Sequence, residues 1–168
     1  MMMQMNQQFD LAFNFLQNTG THLFLTGKAG TGKTTFLKRL KEVSPKRMIV
    51  VAPTGVAAIN AGGVTIHSFF QLPFGPYLPS ASREADQAKN FTNKFSRDKI
   101  NIIRSMDLLV IDEVSMVRAD LLDAISDVLC RYKDRTKPFG GVQLLLIGDL
   151  QQLAPVAKDD EWNLLKEH

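Results

Sequence analysis

Glycine, lysine and threonine fall at G-x-x-x-x-G-K-[ST] spacing in Gly27-Lys28-Ala29-Gly30-Thr31-Gly32-Lys33-Thr34. That pattern suits a triphosphate tail. The glycines let backbone N–H groups turn inward around phosphates at a helix N-terminus, Lys33 reaches the β- and γ-phosphates, and the Thr34 hydroxyl can ligate Mg²⁺. Gly27, Ala29, Gly30, Thr31, Gly32, Lys33, Thr34 and the adjoining Thr35 are therefore the candidate nucleotide-binding residues, while Lys28 reads as a solvated loop lysine. A second constellation lies at the end of Leu108-Leu109-Val110-Ile111-Asp112-Glu113. There Asp112 would hold the metal through its water shell, and Glu113 would orient and deprotonate the attacking water. Two carboxylates that merely cap the next turn are the alternative, and the phosphate loop upstream weighs against it.

Strands and helices must carry these groups. Phe9, Ala12, Phe13 and Leu16 recur at helical spacing, so a helix is expected over 7–17. A short apolar strand, His22 to Thr26, then leads into the glycine-rich loop, and Phe36, Leu37 and Leu40 mark one side of a following helix. Met48 to Ala52, Leu108 to Ile111 and Leu144 to Ile147 are unbroken apolar runs, as parallel strands covered on both faces require. Leu121, Leu122, Ile125, Val128, Leu129 and Tyr132 form the inner stripe of a helix whose outer face is expected to carry Asp120, Asp123, Asp127 and Arg131. Alternating strands and helices give an α/β fold, a doubly wound and mostly parallel sheet with helices on both faces. The stretch 71–98, rich in Pro, Ser, Asn and charge, reads as an inserted excursion with Phe74, Tyr77, Phe91 and Phe95 scattered through it.

A chain of 168 residues, 45% of them hydrophobic, is long enough for one buried core. Its net charge of +3 permits an anionic partner without requiring one. Cys130 stands alone in an apolar run and reads as a small buried hydrophobe, which fits a reducing, cytoplasmic setting. No long apolar segment suggests a membrane span. Guanine specificity is not supported, because Asn93-Lys94-Phe95-Ser96 puts a serine where an N-K-x-D motif needs aspartate. Adjacent Asp and Glu point instead to an NTPase that activates water for itself.

The segments GKAGTGKTT, APTGVAAINAGGVTIHSFF, LLVIDEVSMV, PFGGVQ and GDLQQLAPV, in that order, resemble the first motor domain of the PIF-type, RecD-like DNA helicases of superfamily one. The resemblance runs from about Phe9 to Val156. It implies a RecA-like P-loop domain using ATP and Mg²⁺ to move five-prime to three-prime on single-stranded DNA. It also implies that Gln152 contacts the γ-phosphate as a fourth catalytic group beside Lys33, Asp112 and Glu113. A glutamine N-terminal to the phosphate loop would read adenine, Gln7 or Gln8, with Gln8 the choice. Thr54, Gly55, Val56, Thr65, His67, Ser68 and Phe69 would line the DNA path. Small residues and backbone N–H groups suit phosphates there, and aromatic faces suit bases. Core packing is the alternative for Phe69 or Phe70, and helix capping for His67. The excursion at 71–98 stands where the family carries its strand-separating wedge.

Two departures from the family pattern accompany the likeness. Ala154 replaces a proline common in the family. No second RecA-like domain with its arginine fingers follows Val156, so residues 1–168 read as one domain, truncated, monomeric and weak in hydrolysis alone. A stand-alone P-loop ATPase switch without translocation is the alternative function, and a protein-interaction module that kept only the fold is a third.

Overall fold

A computed structural model of the chain describes residues 7–78 and 95–166. Five strands, β1 (Leu23–Thr26), β2 (Met48–Ala52), β3 (Val64–Thr65), β4 (Leu108–Ile111) and β5 (Gln143–Gly148), form one sheet in the order β1-β5-β4-β2-β3. Every pairing is parallel. Among the described residues, seven α-helices surround it: α1 (Gln7–Asn18), α2 (Lys33–Val43), α3 (Gly55–Ala61), α4 (Ile66–Phe70), α5 (Arg97–Ser105), α6 (Ala119–Tyr132) and α7 (Asp159–Lys166).

The unbroken apolar runs have the expected cause. In β4, Leu108 and Val110 face a core layer with Phe13 and Leu16 of α1 and Phe36 and Leu40 of α2. Leu109 and Ile111 face the opposite layer with Phe70, Ile103, Ile125 and Leu129. All four strand residues are fully buried, so no position could be polar. The expected α1, α2, β2 and β4 are found within a residue or two of their limits, and the run Leu144–Ile147 is extended by one residue at each end in β5.

Three expectations are corrected. Asp120 lies on the inner side of α6, buried, because its carboxylate accepts from Arg118 at 2.8 Å and from the Tyr77 N–H at 2.8 Å. Burial raises the Asp120 carboxyl, but these bonds and the Arg118 charge outweigh it and leave the group below its ordinary value. Within the excursion, Tyr77 and Phe95 are core residues; Phe74 alone of its described aromatics is exposed, and Phe91 lies outside the described residues. Cys130 is only half-buried, and its thiol donates to the Lys137 carbonyl at 3.2 Å. The edge strand β3 is too short for a pattern to announce it. It forms because Gly63, where a Cβ would come within 2.3 Å of the Val50 carbonyl oxygen, lets the chain lie against β2.

Candidate functional site

Except for PFGGVQ, which enters β5 at its N-terminal end, the segments singled out in the sequence leave the C-terminal ends of strands, and in parallel sheets that edge is where ligands bind. Across the sheet, the phosphate loop follows β1, the Gln152 loop follows β5, Asp112 and Glu113 follow β4, Thr54 follows β2, and Thr65 closes β3. Neighbouring strands lie about 4.8 Å apart. The sheet order therefore seats the two carboxylates between the phosphate loop and the segments expected to line a DNA strand.

The loop is built for close backbone approach. Gly30 and Gly32 have φ of 79° and 90°, a left-handed conformation that glycine adopts without strain. A Cβ on Gly27 would meet Thr31 Oγ1 at 2.7 Å, and Thr31 Oγ1 itself donates to the Lys28 carbonyl at 2.8 Å. Gly32 also packs on Phe9, whose ring would be 3.3 Å from a Cβ there, and Phe9 in turn meets Phe36 with ring centres 5.2 Å apart. Thus α1 buttresses the loop from behind, a role of Phe9 that helical spacing alone assigns only to the core. Gln8 precedes it, exposed. No side chain caps α2, so its first-turn N–H groups and macrodipole remain available to an anion. Lys33 Nζ donates to the carbonyls of Gly27 and, at 3.0 Å, Lys28. Thr34 and Thr35 are exposed beside it.

On β4, the Asp112 N–H continues the ladder to the Val51 carbonyl at 2.9 Å, and Asp112 Oδ1 accepts from the Glu113 N–H at 3.0 Å. Burial raises the Asp112 carboxyl above its ordinary value; the Glu113 N–H and the Lys33 ammonium pull the other way. Glu113 holds φ 52°, ψ 44° and starts a 3₁₀ turn, Val114–Met116. A non-glycine residue in that region stores strain of a kind that clusters at functional sites. Gln152 is exposed on a loop pinned by Asp149, whose carbonyl accepts from the Gln152 N–H and whose Oδ1 accepts from the Gln151 N–H, both at 3.0 Å. Glu113, Gln152, Thr54 and Val56 line one open cleft of about 270 Å³.

The remaining candidates divide. Thr54 caps α3 by accepting from the Ala57 N–H at 3.2 Å, and Thr65 caps α4 by accepting from the Ser68 N–H at 3.3 Å. Thr65 thus does the capping for which His67 was the alternative. His67 stacks on Phe74, with ring centres 4.7 Å and planes 22° apart. Burial, then the Arg118 charge, lowers its pKa and keeps the imidazole neutral near pH 7. Gly55, Val56 and Ser68 are exposed. Phe69 is corrected: it lies in the core against Phe70, and the Lys99 ammonium sits 3.6 Å over its ring, so it offers no face to a base. Sequence reasoning missed Gly148. A Cβ on it would come within 2.9 Å of Val114 Cγ1 and 3.2 Å of Val114 N, so glycine alone lets β5 end against the Glu113 turn.

A family model described as PIF1-like helicase matches residues 4–164. The chain is 39% identical over 148 residues to a human protein named ATP-dependent DNA helicase PIF1, covering 84% of this chain and 21% of that one. Against the Candida albicans protein of the same name the figures are 38% over 146 residues, 83% and 15%. Among solved structures, Bacteroides Pif1 bound to ssDNA superposes with a TM-score of 0.87 at 48% identity, covering 99% of this chain and 37% of that one. Bacteroides sp Pif1 in complex with ADP-AlF4 does so with a TM-score of 0.89 at 48% identity, covering 99% and 37%. The chain spans about a fifth or less of these curated relatives and under two-fifths of the solved chains.

Proposed function

We propose, from the premise that this chain belongs to the PIF1-like helicase family, that its RecA-like fold is the ATP-binding motor domain of an ATP-dependent DNA helicase. The observation that carries the reading is the order of strands. It brings the phosphate loop, two carboxylates and Gln152 to one edge, with Thr54 on the adjacent strand.

The residues fit Mg²⁺ and a triphosphate. Left-handed glycines, an uncapped helix N-terminus and a lysine held by loop carbonyls suit phosphate oxygens. Thr34 would supply an oxygen ligand and Asp112 would hold the ion through its water shell, which suits a cation that keeps several waters and takes the rest from substrate phosphates. A Mg²⁺ ion held by these residues would supply neutralisation of the phosphate charge. Lys33 exchanges its loop carbonyls for phosphate oxygens, and Glu113 receives the proton of the attacking water. Gln152 accepts from that water and donates to the γ-phosphate, since a carboxamide can do both. Gln8 is the residue we assign to adenine.

Single-stranded DNA is the partner this edge suits, and the relative solved with ssDNA supports that choice. Its path runs over Thr54, Gly55, Val56, Thr65, His67 and Ser68. His67 contributes a neutral face and no charge, and the exposed Phe74 stacked on it belongs to the wedge-like excursion. Val56 and Leu153 are exposed apolar side chains lining the cleft, and Ile59 and Leu150 are exposed on the same helix and loop that carry them. Large apolar groups left in water together mark a partner surface, and the second RecA-like domain is the partner we assign. Among the described residues no helix is long and apolar enough to cross a membrane.

The test is calorimetric titration with a nonhydrolysable ATP analogue, followed by ATP hydrolysis with and without single-stranded DNA. Binding that weakens sharply in Lys33→Ala, and hydrolysis that DNA accelerates, are expected. Hydrolysis indifferent to DNA would favour the ATPase switch.

A further inference from the structure

The 3₁₀ turn after Glu113 is wedged between two elements. Behind it, β5 ends on Gly148, whose Cβ would stand 3.3 Å from the Ser115 N atom. In front lies the cleft shared by Glu113, Gln152 and the start of α3. Ser115 sits in this wedge, 8% exposed. Among the described residues its Oγ is the single buried side-chain polar atom with no hydrogen-bond partner. A buried hydroxyl without a partner costs stability that alanine would not, and native folds rarely keep one. Its retention here points to a partner that arrives in another state of the cleft.

Of the cleft's polar side chains, Thr54 is spent on capping α3 and Asn60 is carried on that helix, which leaves Glu113 and Gln152 on the turn and loop that flank Ser115. Glu113 is fixed by its backbone at the head of the turn and is committed to the water. Gln152 is carried exposed on a loop that holds it by its backbone N–H alone among the bonds described. Its role in the proposed reaction depends on which end of its carboxamide faces the phosphate. The NH₂ attracts the γ-phosphate and the carbonyl repels it, yet the two orientations fill the same space.

We propose that Ser115 is a positioning residue for Gln152: when a triphosphate occupies the neighbouring phosphate loop, the Ser115 hydroxyl, which lines the same cleft as Gln152, donates to Gln152 Oε1 and turns the NH₂ toward the γ-phosphate. The inference rests on the ATP-hydrolysis reading of this site. It also gives Gly148 a purpose, since only glycine lets β5 press against the turn that carries Ser115.

The experiment compares the full-length protein with Ser115→Ala, Ser115→Thr, Gln152→Ala and the Ser115→Ala/Gln152→Ala double variant in DNA-stimulated ATP hydrolysis. Loss of the hydroxyl should lower kcat about tenfold with KM for ATP nearly unchanged, as expected when an interaction acts in the transition state. Thr, which keeps the hydroxyl, should recover most of the rate. The double variant should be no slower than Gln152→Ala, because the second loss acts through a group already gone. Ser115→Ala should melt at or above the wild-type temperature, which separates the kinetic loss from misfolding. A wild-type kcat in Ser115→Ala, or losses that multiply in the double variant, would overturn the proposal while leaving the nucleotide site standing. Lys33→Ala, run alongside, isolates the other failure: unchanged nucleotide binding there removes the reading on which Ser115 depends.

Discussion

The two ends of the sheet edge hold their polar groups differently. Beside β1, Lys33 is tethered to loop carbonyls, α2 has no side-chain cap, and Thr34 is exposed. Beside β2 and β3, the hydroxyls of Thr54 and Thr65 are spent on helix caps, Phe69 is buried, and His67 leans on Phe74. A compact, highly charged ligand needs groups whose present bonds are easily exchanged. A strand that must slide is better served by a surface whose shape is fixed and whose individual contacts are weak.

If that contrast is right, the carboxylate between the two ends carries the largest effect. Glu113→Gln should cut single-turnover hydrolysis by about 10²–10⁴, the range for a lost general base, with nucleotide affinity retained. A parallel loss of affinity would make Glu113 a binding group and blur the comparison. Lys33→Ala should slow hydrolysis by about 10²–10³, as removal of a charge-stabilising donor does, and should leave single-stranded DNA affinity alone. DNA affinity that fell equally would join the two ends into one site.

The anchor of the excursion offers an effect on stability. Asp120→Ala leaves the Tyr77 N–H without its acceptor and Arg118 paired with Glu161 alone, and urea melts should show a loss of roughly 2 kcal/mol, the range for a buried donor left unsatisfied. Because the folded pKa of Asp120 lies below its unfolded one, this contribution is present at neutral pH. It fades as acid passes below the ordinary carboxylate range toward that lowered value. A smaller effect is expected from His67→Ala, a several-fold loss in DNA affinity if one base stacks there. Since its pKa is lowered, wild-type DNA affinity should show no histidine step between pH 7 and 8, and fluorescence anisotropy across that range checks it. The smallest is Asp112→Asn. Burial raises the Asp112 pKa, so its ionisation opposes folding at neutral pH, and the amide should melt no lower than wild type without nucleotide. It should lose the added stability that Mg²⁺ and ATP give.

The fold was legible where chemistry and pattern coincide. Leu108–Ile111 reads as a strand because every residue is apolar, and the phosphate loop reads as a loop because its spacing has few other uses. The excursion was not legible: Tyr77 and Phe95 look like solvent-exposed aromatics among polar neighbours, and only contacts with α6 bring them inside. Asp120 misleads for the same reason. Its helical phase is that of a surface carboxylate until Arg118 and the Tyr77 backbone meet it.

Residue types at fixed spacing along one segment determined the ligand class. A lysine, a hydroxyl and glycines within eight residues need only local geometry to cradle phosphates, and Asp112 follows its strand wherever that strand goes. The tertiary structure decided which of these segments are neighbours. Strand order β1-β5-β4-β2-β3 is set by long-range packing across two core layers, which no local spacing encodes. From it come the central seat of the carboxylates, the burial of Phe69, and the unpartnered hydroxyl of Ser115.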